Sequence, residues 1–187
     1  MSTLAARGRL PRRGVLRTLA ALDGAILRMV RRRETTLATR LMRALTHLGD
    51  PGSWVVVGLA LAAAGGPGER DAVLLGLGAG TATAASQLLK RVCCRPRPSA
   101  HGSCAALVES PDAFSFPTGP PAAAFGAATA LAGAGHGLGS LVLALAVGIA
   151  ASRVYLGAHY PLDVVAGAIL GIGAGAAARL IPLAFLS

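Results

Sequence analysis

Aromatic side chains are scarce in this 187-residue chain, with one Trp, two Tyr and four Phe. That is too few for the base-stacking platforms on which single-stranded nucleic acid is held. Lysine is scarcer still: Lys90 is the only one among 18 basic residues, and all the others are arginines. Acidic residues number eight, which leaves a formal net charge of +10. A soluble nucleic-acid binder spreads such charge over one face. Here the arginines gather at the N-terminus and in two later breaks between apolar runs, as in a membrane protein with basic flanks, so no nucleic-acid partner is expected. Cysteines are few, and Cys93, Cys94 and Cys104 show neither zinc spacing nor a Cys-x-x-Cys pair. They read as small loop residues, although an oxidising compartment would let Cys104 pair with either of the other two. A secretory signal is also lacking, because the apolar run after the first arginines is broken by Asp23 and Arg28.

What the chain has is apolar length. Hydrophobic residues make up 53% of it and the mean hydropathy is +0.60. At this length one domain is expected, at 18–187, preceded by a basic arm at 1–17. From Leu16 to Val30 and from Thr36 to Leu48 the apolar positions recur at helical spacing. Charges at Arg17, Asp23, Arg28, Arg40 and Arg43 place these two helices in the interface rather than across the membrane. Arg31-Arg32-Arg33 between them reads as a headgroup face, and His47 as an interfacial or packed histidine. Five spans are expected after the Gly49-Asp50-Pro51-Gly52 turn, at about 53–66, 72–89, 121–135, 138–151 and 164–180. Most are shorter than the roughly 20 residues of a full crossing. The fold class is therefore all-α, a polytopic membrane helical bundle with N-terminal interfacial helices. Gly76 and Gly80, then Gly167, Gly171 and Gly175, recur every four residues and predict close helix contacts. His136 falls in a glycine-rich turn.

Three breaks in the apolar pattern carry the chemistry. The stretch from Ser152 to Asp163 sets Arg153, His159 and Asp163 in an apolar region, where such groups are costly unless they have partners or work. Pro161 suits the first position of a helix, which makes Tyr160 its cap and puts Asp163 in the first turn. His159 then lies within reach of Asp163. A carboxylate that takes the proton of one ring nitrogen fixes the tautomer and frees the other nitrogen as base or nucleophile. The second break, Lys90 to Pro98, holds four cations, and Pro96 and Pro98 keep it extended. It reads either as an anion site or as a juxtamembrane cluster that sets topology, and His101 follows in the same loop. The third, Phe114 to Pro121, leads into a helix whose start can bind phosphate through the Thr118 hydroxyl and the Thr118 and Gly119 amides. A simple helix start explains it as well.

Together these breaks resemble the membrane-bound type-2 phosphatidic acid phosphatase family, which shares its fold with vanadium haloperoxidases. The family's first motif, Lys, six residues, Arg-Pro, is matched by Lys90 and Arg97-Pro98. Its third, Ser-Arg, five residues, His, three residues, Asp, is matched by Ser152-Arg153, His159 and Asp163. Its second, Pro-Ser-Gly-His, reads Pro117-Thr118-Gly119-Pro120 here. Order and spacing agree over roughly residues 40 to 178.

The resemblance implies an integral-membrane lipid phosphate phosphatase without metal or cofactor. In it Lys90, Arg97 and Arg153 hold the phosphate with Thr118 and the Gly119 amide, His159 forms a phosphohistidine, and Asp163 orients the ring. In the family the second-motif histidine protonates the leaving oxygen, and Pro120 has no proton to give. An activated substrate such as a polyprenyl diphosphate needs that proton least, so it is the expected preference; alternatively His101, in the neighbouring loop, supplies the proton as a surrogate acid. The alternative is a catalytically silent relative that binds lipid phosphates or protein partners. By span parity the N-terminal arm and the Lys90 and Arg153 loops share one face, with Arg70 and Arg179 on the other. The positive-inside rule would make the basic face cytoplasmic, whereas a crossing by Leu16 to Val30 would flip the parity and turn the site outward. An Ala-, Gly- and Arg-rich composition with one lysine suggests the codons of a GC-rich bacterial genome, and for a membrane protein of such a source the plasma membrane is the expected location.

Overall fold

Helix starts follow the sequence chemistry. The chain forms α1 Arg12–Arg31, α2 Thr36–Leu48, α3 Pro51–Ala63, α4 Pro67–Cys93, α5 Gly119–Ala130, α6 Leu138–Tyr155 and α7 Pro161–Arg179. Proline stands in the first turn of α3, α4, α5 and α7, where its fixed φ suits a helix and its missing N–H costs nothing. Thr35 caps α2, its hydroxyl accepting from the Ala38 amide at 3.2 Å. The structure is a computed structural model and describes residues 12–101, 106–108, 112–134 and 137–182, without the side chains of residues 12–17, 100 and 101. Among the described residues no strand occurs, and the expected all-α bundle is what forms.

Each of the five expected apolar segments forms a helix over most of its described length, although the first and third of these stop early, at Ala63 and Ala130. Among the described residues α4, α6 and α7, with 27, 18 and 19 residues, are long and apolar enough to cross a membrane, and α3 is apolar but shorter, with 13. α5 has only 12 residues, about 18 Å at a rise of ~1.5 Å per residue. It does not meet lipid over most of its surface. Ala122, Ala124 and Ala127 are fully buried, and α5 is packed between α4, α6 and α7. Around it the core is closed by Leu74, Leu75 and Ala79 of α4, Val142, Ala146 and Ile149 of α6, and Ala178 of α7.

Small residues set the directions of these helices. Gly167, Gly171 and Gly175 abut Thr118, Ala122 and Gly126 in turn, so α7 runs parallel to α5. Gly78 abuts Gly126 and Ser86 lies beside Gly119, so α4 runs antiparallel to it. Gly139 abuts Leu131 and Ala132, which turns α6 back as well. The C-termini of α4 and α6 and the N-termini of α5 and α7 therefore meet at one end of the bundle. The expected glycine contacts hold for α7 but not for Gly76 and Gly80, which have nothing within 4 Å; Gly78, between them, makes the contact. Those two positions face outward because a four-residue period selects a helix face without saying which neighbour covers it.

α1 begins at Arg12, inside the segment expected as an arm; residues 1–11 lie outside the described residues. Neither α1 nor α2 is among the helices apolar enough to span. α1 turns Asp23 and Leu27 into the protein and leaves Leu19, Leu22, Ile26 and Met29 exposed, the two-faced pattern of an interfacial helix.

Candidate active site

The turn between α6 and α7 places His159. Gly157 takes φ +69°, a conformation costly for a residue with a side chain, and the Ala158 and His159 amides donate to the Arg153 carbonyl at 3.1 and 3.3 Å. His159 is thereby folded back under the end of α6. The α7 start is the expected one: Tyr160 precedes Pro161, and the Tyr160 amide donates to Asp163 Oδ2 at 3.1 Å. From the other side comes the segment after α4. Ser115 N donates to the Arg95 carbonyl at 2.7 Å, and Pro96 pairs with Phe114, so the first and second motif segments are zipped together.

His159 is almost wholly buried. Its Nδ1–H donates to the Ser115 carbonyl at 2.7 Å, and Arg97 Nη1 donates to Nε2 at 3.1 Å and to the Ala158 carbonyl at 2.9 Å. Burial, reinforced by the charges of Arg153, Arg97 and Lys90, pushes the imidazole well below its usual range. The ring is neutral, and its unprotonated nitrogen, Nε2, accepts from a guanidinium.

Asp163 does not touch the ring, which corrects the expectation that it takes the imidazole proton. Its Oδ1 accepts from Arg95 at 2.6 Å, while Oδ2 accepts from the Ser115 hydroxyl and the Tyr160 amide. The backbone of Ser115 reaches Nδ1 first, so the carboxylate steadies the histidine through Ser115.

Of the four cations in the second break, Lys90 and Arg97 turn inward and are buried, Arg91 is exposed, and Arg95 serves Asp163 instead of an anion site. Asp112 grips the inward pair: its carboxylate receives Lys90 Nζ and Arg97 Nη2, each at 2.6 Å, and its carbonyl receives Arg97 Nε at 2.9 Å. Burial would raise this carboxyl, but the two cations outweigh it and hold it below the usual carboxylate range. Arg153 donates to Thr46 Oγ1 at 2.7 Å. Among the described residues three buried side-chain polar atoms lack a partner, and two of them are Arg153 Nε and Thr118 Oγ1. An unpaired buried donor costs about 1–3 kcal/mol, and a phosphate oxygen satisfies such donors.

Lys90, Arg97, Arg153, His159, Asp163, Thr118 and Gly119 thus come together at one end of the bundle. The His101 side chain and Cys104 lie outside the described residues, and Cys93 and Cys94 are free and exposed. Sequence reasoning missed Asp112, Ser115 as the ring's partner, Thr46 and the burial of Asp23. One signal was there for Asp23: a carboxylate in an apolar run needs a partner.

Residues 71–185 match the sequence pattern described as the PAP2 superfamily. The chain belongs to this superfamily. Among PAP2 relatives, the decaprenylphosphoryl-5-phosphoribose phosphatase of Mycobacterium tuberculosis is 36% identical over 165 residues, which is 88% of each chain. The phosphatidylglycerolphosphate phosphatase of Bacillus subtilis, a transmembrane PAP2 enzyme, superposes with a TM-score of 0.73 at 25% identity, over 87% of this chain and 85% of that one. LpxE of Aquifex aeolicus gives 0.72 at 26% identity, over 86% and 96%. The protein is accordingly an integral-membrane PAP2 phosphatase, a phosphoric-ester hydrolase.

Proposed function

We propose that this phosphatase hydrolyses a polyprenyl-linked lipid phosphate through a phosphohistidine at His159, in a bacterial plasma membrane. The observation that carries the mechanism is the neutral, buried imidazole whose Nδ1–H is held by Ser115 while Nε2 faces Arg97. Nε2 attacks phosphorus, the N–P bond forms, and the bond to the leaving oxygen breaks. Lys90, Arg97 and Arg153 neutralise the charge that spreads over the phosphoryl oxygens, and Thr118 Oγ1 and the Gly119 amide donate to them. Water then attacks phosphorus, the N–P bond breaks, and phosphate leaves. Asp163 acts on the ring through Ser115. The lipid class is supported by the name of the mycobacterial relative and by its 36% identity over 88% of this chain.

Pro120 bears on the leaving group. Without a general acid the departure of an alkoxide slows by about 10²–10⁴-fold, whereas a lipid phosphate leaves a diphosphate without that help. This favours a polyprenyl diphosphate within the class. The test is phosphate release by the purified protein from a polyprenyl diphosphate, a polyprenyl-linked sugar phosphate and a phosphatidic acid. Both prenyl substrates should outpace phosphatidic acid, with the diphosphate fastest; equal rates on all three would overturn the preference. His159→Ala should abolish turnover and the acid-labile phosphoenzyme, and an active His159→Ala protein would sink the mechanism. Pro120→His should speed the monoesters by about tenfold or more, as an added acid does.

A further inference from the structure

Among the described residues the most deeply placed carboxylate outside the three motifs belongs to α1. Asp23 has a fully buried side chain although it sits in an amphipathic surface helix, and residue 23 precedes the matched superfamily region, which begins at residue 71. Both its oxygens are engaged. Oδ2 accepts from Arg95 Nη2 at 2.6 Å, and Oδ1 accepts from the Leu162 amide at 2.9 Å, in the first turn of α7. Arg95 is the shared piece. Its other nitrogen, Nη1, donates to Asp163 at 2.6 Å, its plane lies 4.4 Å over the Tyr160 ring, and its carbonyl receives the Ser115 amide at 2.7 Å. Ser115 in turn donates its hydroxyl to Asp163 and offers its carbonyl to His159 Nδ1.

We propose that Asp23 is a positioning residue for the hydrolysis: it fixes the Arg95 fork, which fixes Asp163 and Ser115, which aim the His159 ring. A planar guanidinium bridging two carboxylates has one orientation, whereas one bound to a single carboxylate is free to pivot about it. Removing Asp23 therefore loosens Asp163 and the Ser115 carbonyl together, with every phosphate-binding cation left in place. α1 becomes a wall of the site, and its exposed Leu19, Leu22, Ile26 and Met29 tie that wall to the lipid surface.

The inference rests on the His159 reading above, and its test separates the two. Asp23→Asn should lower kcat about tenfold, the scale of a small misalignment of a reacting group, with KM for a polyprenyl phosphate unchanged. Combined with Asp163→Asn it should add less than about twofold, since residues acting through one path are not additive. Leu27→Ala removes a buried apolar contact one turn along α1 and should lower Tm with kcat kept within about twofold. If Asp23→Asn fails to fold, Arg95→Lys keeps the charge but not the fork and should show the same loss of kcat at constant KM. Undiminished kcat in Asp23→Asn or Arg95→Lys, full multiplication with Asp163→Asn, or parallel losses of kcat and Tm in Leu27→Ala would each overturn the proposal. An active His159→Ala protein would instead sink the reading beneath it.

Discussion

An imidazole attacks phosphorus only through an unprotonated nitrogen, and at His159 burial and three surrounding cations keep Nε2 without a proton. Its folded-state pKa is depressed, so the unfolded chain binds the proton first as pH falls; stability rises with pH through the window below about 6.5 and is lost towards acid. The acid limb of kcat/KM, which reports the free enzyme, should lie below about pH 6.5 once the substrate's own ionisation is measured separately. A limb at or above that value would mean a ring that titrates normally. Asp112 is the second residue with a testable role. Its carboxylate occupies the two cations, Lys90 and Arg97, that the proposed mechanism assigns to the phosphate, and it stays ionised because those cations hold its pKa down. Asp112→Asn should tighten inhibition by inorganic phosphate by about tenfold, as removal of one charged competitor does, and lower Tm by leaving two buried cations, Lys90 and Arg97, without a counter-charge. That Lys90, Arg97, Arg153 and His159 would meet at one end of the bundle was legible, because a fixed spacing announces them. Asp112 was not, since its partners stand 22 and 15 residues away in a loop with no readable period. The role of Asp163 was half legible: its place in the first turn of α7 follows from Pro161, but which group would reach Nδ1 first depended on a segment far away in the chain.

Packing at the level of helices depends on glycines whose neighbours differ even when their spacing is the same. A Cβ at Gly78 would lie 2.5 Å from the Gly126 carbonyl, and one at Gly171 would collide with the Ala122 carbonyl, whereas Gly76 has open space. Gly78→Ala and Gly171→Ala should each destabilise by about 1–3 kcal/mol, as overpacking does. Gly76→Ala, on the same helix as Gly78, should be neutral or stabilise by about 0.5–1 kcal/mol through reduced backbone freedom. Thermal unfolding of the three variants in one detergent checks the contrast, and equal effects at positions 76 and 78 would refute this account of the α4–α5 contact. The helices themselves were legible from apolar runs and from Pro at their starts. Which faces meet was not, and neither was the central position of α5. That short alanine-rich helix reads as a truncated span, yet it is buried because three neighbouring helices share its surface.

Across the whole molecule, the site end carries nearly all the described positive charge. Arg28, Arg31, Arg32 and Arg33 of the α1 region, Arg40 and Arg43 of α2, and the Lys90–Arg97 segment lie on the side of the site or its docked helices, while Arg70 and Arg179 line a pocket with Gly133 at the other end. Short flanks rich in arginine are retained on the cytoplasmic side, so the site should open inward and draw on lipid phosphates of the inner leaflet. Cys93 and Cys94 provide the probe, being free, exposed and at the end of α4 next to the site. A membrane-impermeant maleimide should leave them unlabelled in intact spheroplasts and label them after permeabilisation, and a cysteine placed at Gly133 should behave in the opposite way. Immediate labelling of Cys93 and Cys94 in intact spheroplasts would put the site outside. It would also mean that the charges of α1 and α2 are held by the protein itself, as Asp23 holds Arg95, rather than by the side of the membrane on which they were made.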